Sequence, residues 1–391
     1  MHLNKPIKII FVTSVFENVN TGPAIYARYL FDAFGADPDF EFSVIAPHCS
    51  QKSNNIYSLS SENLSSRQLY KALQQKALKI ASRSGIPPII HTNNAHAIWL
   101  FKEYEGPVLA QVNDYDAADS FQHPIQKISK YGLRRYASLA WRRINEKKAI
   151  SFCKSVICNS HFTQSRIREA YPDINFDHSV VIHKAVDIDF FREPANEKNS
   201  TKFNLIGTNR ILFLGANWRR KGLDVAILAL EKILQSNPDC SLIVAGKKGQ
   251  NADAAIAELP QKLGIAENVQ FLGPVKREDL PLLFKECDLL TLPSREEALG
   301  VAILEALASG LPVVGADVGG IPEILGGCQH SILVRPDDPS DLANAFQKIL
   351  SSNSERNDIQ RECHAVANRF SKEVMIEKIK NLYLEIEASR I

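Results

Sequence analysis

The sequence predicts an α/β protein of two domains, each built on a parallel sheet with helices packed on both faces. Three observations lead there. The chain has 391 residues, too many for one ordinary hydrophobic core. Short runs rich in Val, Ile and Leu alternate with helix-period segments, the pattern of βαβ units. The composition, 45% hydrophobic and 23% charged, is that of an ordinary globular chain.

In the C-terminal half the alternation is clean. Strand Ile211–Leu214 leads to a helix over Leu223–Leu234, then strand Leu242–Ala245 and a helix across Ala254–Leu263. Strand Val269–Leu272, helix Asp279–Cys287, strand Leu289–Leu292, helix Gly300–Ala308 and strand Pro312–Gly315 follow. Ile332–Val334 and a helix across Leu342–Leu350 complete the set. Continuous apolar strands of this kind are buried on both faces, as parallel strands are.

The N-terminal half keeps the rhythm less strictly. Ile7–Val12 reads as a strand, followed by a polar loop, Glu17–Pro23, and a helix across Ala24–Phe34. Phe42–Ile45, Ile89–His91, Val108–Val112, Ser155–Cys158 and Val180–Ile182 read as further strands. The expected organisation is therefore an N-terminal domain over 1–187, a linker over 188–208 and a second domain over 209–371. A closing helix over 372–391 is expected to pack back on the first domain. Pro194, Asn196, Asn199 and Asn209 mark the linker. Ligands of open parallel sheets bind beyond the carboxyl ends of the strands, so a cleft between two such sheets is the expected site.

No apolar run approaches the roughly 18 residues of a spanning helix. The N-terminus runs into Ile7–Val12 without a signal-peptide core, so a cytoplasmic location is expected. The seven cysteines are scattered, with no paired CxxC, which points to reduced, mostly buried thiols and no structural zinc. Net charge is +2, but residues 1–208 carry +6 and residues 209–391 carry −4. Residues 124–150 hold eight cations, Lys127, Lys130, Arg134, Arg135, Arg142, Arg143, Lys147 and Lys148, against one acid, Glu146. Interleaved with Tyr131, Tyr136 and Trp141, they suit either peripheral contact with an anionic membrane or a domain-packing helix with a solvated basic face. No nucleic-acid partner is expected.

The chemistry concentrates in residues 292–314. A strand ends near Pro293, a loop carries Glu297, and a helix opens near Leu299, followed by Gly300 and Val301. A helix N-terminus offers unpaired N–H groups and partial positive charge, a ready anion site. Glu305 falls about 9 Å further along that helix, a distance that suits a ribose attached to a diphosphate. A second segment, Gly215-Ala216-Asn217-Trp218-Arg219-Arg220-Lys221-Gly222, sets three adjacent cations after a strand. Such cations neutralise a diphosphate as it departs.

Glu297 and Glu305 resemble the E-x7-E motif of retaining glycosyltransferases of family 4, whose fold is called GT-B and pairs two Rossmann-like domains. The flanking Glu305-Ala306-Leu307-Ala308-Ser309-Gly310-Leu311-Pro312 and Gly319-Gly320-Ile321-Pro322-Glu323 match that family, and the match extends over nearly the whole chain. The resemblance implies that Glu297 contacts the donor sugar and Glu305 the ribose. The backbone of Ala298, Leu299, Gly300 and Val301 would hold the diphosphate and sugar. Arg220 and Lys221 would stabilise the leaving group, with Arg220 standing in for an arginine the family often has where this chain has Ala216. Val275, after Val269–Gly273, would line the base pocket, and Gly22 would approach the diphosphate. The family usually carries a histidine where this chain has Gln111-Val112-Asn113-Asp114, which transfers any role there to Asn113. His91-Thr92-Asn93 stands where many members show two histidines.

The implied activity is retaining transfer of a hexose from a nucleoside diphosphate sugar, UDP-linked and UDP-glucose-like. The acceptor would be a hydroxyl of a glycan, a lipid-linked sugar or a small molecule in polysaccharide or glycoconjugate synthesis. No metal and no cofactor is expected. A catalytically silent nucleotide-sugar-binding subunit and an epimerase of the same fold remain as alternatives. A dehydrogenase is excluded by the lack of a Gly-x-Gly-x-x-Gly turn after a strand.

Overall fold

The computed structural model describes residues 5–17, 21–47, 49, 53–59, 64–95, 98–115, 133–192, 202–249, 252–352 and 354–390. They form two compact units. The first comprises residues 1–184 and 375–391, the second residues 185–374.

In the first unit the order is β1 (Ile7–Val12), α1 (Gly22–Ala36), β2 (Phe40–Pro47), β3 (Ile56–Leu59), α2 (Ser66–Ala81), β4 (Ile89–Thr92) and β5 (Val108–Val112). α3 (Leu133–Phe152), β6 (Ser155–Cys158), α4 (His161–Ala170) and β7 (Ser179–Val181) follow. The strands pair in the order β3-β2-β1-β4-β5-β6-β7, every pair parallel. One face buries Ile10, Val12, Ile45, Ile90, Val108, Ala110 and Val112. The other is aromatic, with Phe11 stacked on Phe42 and Phe34 stacked on Phe42. β3 and α2 were not among the expected elements. α2 opens with a reciprocal cap between Ser65 and Gln68, which satisfies two N–H groups that a helix start leaves over.

The second unit runs α5 (Ile188–Arg192), β8 (Asn209–Leu214), α6 (Trp218–Lys221), α7 (Leu223–Leu234), β9 (Cys240–Ala245), α8 (Ala252–Ala257), α9 (Leu259–Lys262) and β10 (Val269–Gly273). Then come α10 (Leu280–Lys285), β11 (Leu289–Leu292), α11 (Val301–Ala308), β12 (Val313–Ala316), α12 (Ile321–Leu325), β13 (Ile332–Val334), α13 (Pro339–Leu350) and α14 (Arg356–Asn368). All neighbours in the order β10-β9-β8-β11-β12-β13 are parallel. Alternate strand residues serve opposite cores: Leu212, Ile243, Leu290 and Val313 on one face, Ile211, Phe213, Leu242 and Val314 on the other. The fold is α/β and doubly wound in each unit.

Three local expectations are revised. The helix expected over 254–263 is two short helices, α8 and α9, with Pro260 in the first turn of the second; proline has no N–H to continue the ladder. Part of the segment read as linker is ordered: Ile188 and Phe191 of α5 are buried in the second unit's core. The last helix, α15 (Lys372–Ala388), begins in the second unit, where Lys372 pairs with Asp187 at 2.9 Å, and belongs to the first from Met375 onward. There Tyr383 is fully buried against Phe34, and Lys380 meets Asp37 at 2.7 Å. All seven cysteines are free thiols, five of them buried. Among the described residues no helix is long and apolar enough to cross a membrane.

Candidate active site

Each sheet reverses its winding beside its first strand: β1 lies between β2 and β4, and β8 between β9 and β11. At such switch points two loops diverge and leave a crevice beyond the strand ends. Apart from Val275, the candidate residues of the second unit come from the two segments that diverge there, after β8 and after β11.

The loop after β8 closes into α6, whose last two residues are Arg220 and Lys221. Gly222 then turns the chain at φ +76°, and a Cβ there would lie 1.9 Å from the Pro293 carbonyl oxygen. Only glycine lets the two loops approach this closely. Across the contact, Lys221 Nζ forms an ion pair with Glu297 Oε2, both side chains largely shielded from solvent. Arg220 Nη1 donates to the Glu296 carbonyl at 2.9 Å. Two cations and a carboxylate that stand 76 residues apart in sequence therefore share one surface.

After Glu297 the chain is held from below. Its carbonyl accepts from Gly320 N–H at 3.3 Å, and a Cβ on Gly319, at φ +60°, would lie 1.7 Å from that oxygen. The Gly319-Gly320 pair is thus a packing requirement of the Glu297 loop. Ala298 is half-buried, Leu299 inserts its side chain into the core, and Gly300 caps α11 at φ +99°. No side chain caps this end, and no acid lies in its first turn. Val301 is the first helical residue. Any ligand contact from Leu299 is consequently through its backbone.

Glu305 lies in the second turn of α11 and is 8% exposed. Burial pushes its carboxyl above the usual range, and the Arg277 guanidinium, 2.9 Å away, pulls it back down. Arg277 itself sits over the rings of Phe190 and Phe191, at 4.9 and 5.2 Å. Removing one partner of such a buried pair costs about 3–5 kcal/mol. Arg277 was not legible as a site residue, because its partner lies 28 positions away on another element. Val275, just after β10, is half-buried and packs on the core.

In the first unit the expected residues again sit at strand ends. Gly22 opens α1, and a Cβ there would meet nothing within 4 Å among the described residues. Asn93, Asn113 and Asn159 each follow directly on one of the adjacent strands β4, β5 and β6. They bond in a row. Asn159 Nδ2 donates to the Asn113 carbonyl at 2.8 Å, Asn113 Nδ2 to the Asn93 carbonyl at 2.5 Å, and Asn93 Nδ2 to Thr13 Oγ1 at 3.3 Å. Among the described residues the amide oxygens of Asn113 and Asn159 are buried without a protein partner. His91, by contrast, is a core residue. Its Nδ1 meets the Tyr383 hydroxyl at 2.7 Å, and burial lowers its pKa to about 3.

The basic segment 124–150 lies partly outside the described residues. Within them, Arg142 grips both oxygens of Asp114 at 3.0 and 3.1 Å, and Arg143 donates to the Ala170 carbonyl at 2.7 Å. Lys147 pairs with Asp173 at 2.7 Å. Three of the eight cations thus make contacts within the first unit. Glu146, its lone acid, is buried and bonded to Tyr171.

Residues 196–364 match the family model described as glycosyl transferases group 1, and residues 21–190 that described as Glycosyltransferase Family 4. This chain belongs to the family 4-type glycosyltransferases. Among curated relatives, D-inositol 3-phosphate glycosyltransferase of Corynebacterium aurimucosum is 27% identical over 62% of this chain and 60% of its own length. The namesake from Mycobacterium marinum is 34% identical over 44% of this chain and 37% of its own. The chain therefore spans at most about 60% of these relatives. Among solved structures, sucrose-phosphate synthase from Thermosynechococcus elongatus superposes with a TM-score of 0.76 at 19% identity, over 98% of this chain and 100% of that one. Anabaena HepE, solved with UDP, gives 0.72 at 20% identity, over 97% and 100%. The shared fold is GT-B.

Proposed function

We propose that this glycosyltransferase moves a hexose from a UDP-linked donor to a hydroxyl group with retention of anomeric configuration. The observation that carries the reading is the Lys221–Glu297 pair beside the uncapped start of α11, at the switch point of the second sheet. A cation that grips the diphosphate and a carboxylate that grips sugar hydroxyls belong side by side, because the donor joins those two groups through one bond. Glu305, set further along α11 and held by Arg277, suits the ribose hydroxyls. The UDP held by the structural neighbour HepE supports the choice of nucleotide.

In the reaction, the bond between the sugar's anomeric carbon and the phosphate oxygen breaks, and a bond to the acceptor oxygen forms on the same face. The acceptor proton passes to the departing phosphate, so no enzyme nucleophile is required. Lys221, Arg220 and the first amides of α11 stabilise the negative charge that grows on the leaving group. Gly22, which no contact among the described residues requires to be a glycine, gives the diphosphate room. The Asn113 amide oxygen accepts from a hydroxyl of the reacting sugars.

A thermal-shift screen against UDP-, GDP- and ADP-sugars identifies the donor, since a bound donor stabilises the folded state. NMR of the product formed from that donor then reads the anomeric configuration. Inverted product would refute retention, and tight donor binding with no hydrolysis or transfer would favour the silent-subunit alternative.

A further inference from the structure

The cations of α6 sit on a helix of four residues, too short to hold its own direction. Its N-cap, Asn217, stands at φ +59° and makes no side-chain cap. The capping group comes instead from α8. Asp253, 3% exposed, accepts from the N–H groups of Trp218 at 3.2 Å and Arg219 at 3.3 Å. Its Oδ2 also accepts from Gly249 N–H at 2.8 Å, tying in the loop after β9. At the opposite end Arg295 takes the carbonyls. Its N–H donates to the Arg220 oxygen at 2.8 Å and its Nη1 to the Arg219 oxygen at 2.5 Å. The guanidinium is itself fixed by both oxygens of Asp224, each at 2.8 Å, and by Asp337 at 2.6 Å.

A carboxylate thus closes the positive end of α6 and a guanidinium the negative end, each matched to the local backbone charge. We propose that Asp253 and Arg295 are positioning residues that hold Arg220 and Lys221 in the orientation that grips the donor diphosphate. Because Asp253 occupies the first N–H groups of α6, an anion is bound there by side chains and not by the helix end. Arg295 also neighbours Glu296 and Glu297 in sequence, so the same bonds set the spacing between Lys221 and its carboxylate partner. This inference rests on the reading of Lys221 as a diphosphate ligand.

The test is a double-mutant cycle read by calorimetry with UDP as the probe. Asp253→Asn keeps the size but turns one acceptor into a donor facing N–H groups. In the wild-type background it weakens UDP binding about tenfold, because a misaimed cation loses much of its grip. In the Lys221→Ala background the same change costs less than about twofold, since the group it positions is gone. An equal loss in both backgrounds would overturn the inference, as would wild-type affinity in Asp253→Asn. Wild-type UDP affinity in Lys221→Ala alone would instead overturn the functional reading, and this inference with it. Should Asp253→Asn fail to fold, Arg295→Lys, which keeps the charge beside Asp224 but loses the fork, is carried through the same cycle with the same expectations.

Discussion

The two sheets share one winding pattern but differ in the chemistry beyond their strand ends. In the second unit the strand-end loops carry ion pairs: Lys221 with Glu297, Arg277 with Glu305, Arg295 with Asp224. In the first, the strand ends carry a row of neutral amides, Asn93, Asn113 and Asn159, beside one ion pair, Asp114 with Arg142. Its deeply buried titratable groups are driven toward neutrality, His91 to a pKa of about 3 and Glu146 to about 8, chiefly by loss of solvent. Paired charges suit a site that must receive and stabilise an anion. Amides suit hydroxyl groups, which carry no net charge to neutralise. The division proposed for this chain, Lys221 on the diphosphate and Asn113 on a sugar hydroxyl, follows from that difference.

The comparison is broken most easily at Lys221. Lys221→Ala should lower turnover by about 10²-fold or more, the usual loss when a group that stabilises developing charge is removed. Asn113→Ala should lower it less, about tenfold, within the range for loss of a single hydrogen bond to a substrate. Steady-state kinetics on the two variants measure both. An Asn113 effect larger than the Lys221 effect would invert the proposed division.

Glu297→Ala sharpens the account within the second unit. Its partner is the donor sugar, so turnover falls while affinity for UDP stays within about twofold of wild type, apart from the charge released on Lys221. Loss of UDP affinity with turnover intact would mean that Glu297 and Glu305 have exchanged roles.

The smallest effect concerns pH. Glu146 has its pKa raised by burial and by Asp114, against the Tyr171 hydrogen bond and the charges of Arg142 and Arg143. A raised pKa means that the folded state holds the proton after the unfolded state has lost it. The stability tied to that proton is complete below the unfolded value of about 4.5 and is lost as pH rises toward about 8. His91 has the opposite slope, losing stability as pH falls below about 6.5. Between about 6.5 and 8 the Glu146 slope stands alone of the two, up to about 1.4 kcal/mol per pH unit. Melting curves across that window should show Glu146→Gln gaining on wild type as pH rises; parallel curves would refute the buried-acid assignment.

How much of this was legible in the sequence differs between the units for a physical reason. β8, β9, β11 and β12 are buried on both faces and read as unbroken apolar runs. β3, an edge strand with no fully buried residue, gives no such run. α2 did leave a signal, the Ser65–Gln68 spacing of a reciprocal cap, ahead of a helix-period segment. Glu297, Glu305 and Lys221 were found through their neighbours in sequence. The groups that hold them were not, because Arg277 pairs with Glu305, and Asp253 accepts from Trp218 and Arg219 beside Lys221, from other elements. The amide row was invisible for the same reason: three asparagines become neighbours only once β4, β5 and β6 are known to lie side by side. His91, two residues before Asn93, misleads in one dimension, since it lies within β4 with its ring in the core against Tyr383 while Asn93 follows the strand's end.

In the proposed function the ribose of the nucleotide is held by Glu305, whereas Asn113 meets only sugar hydroxyls. Calorimetric titration of UDP into Glu305→Ala and Asn113→Ala tests it most directly. UDP affinity is expected to be at least about tenfold weaker in Glu305→Ala, the cost of a lost charged hydrogen bond to ribose. Unchanged affinity is expected in Asn113→Ala. Full affinity in Glu305→Ala, or a comparable loss in Asn113→Ala, would contradict this assignment.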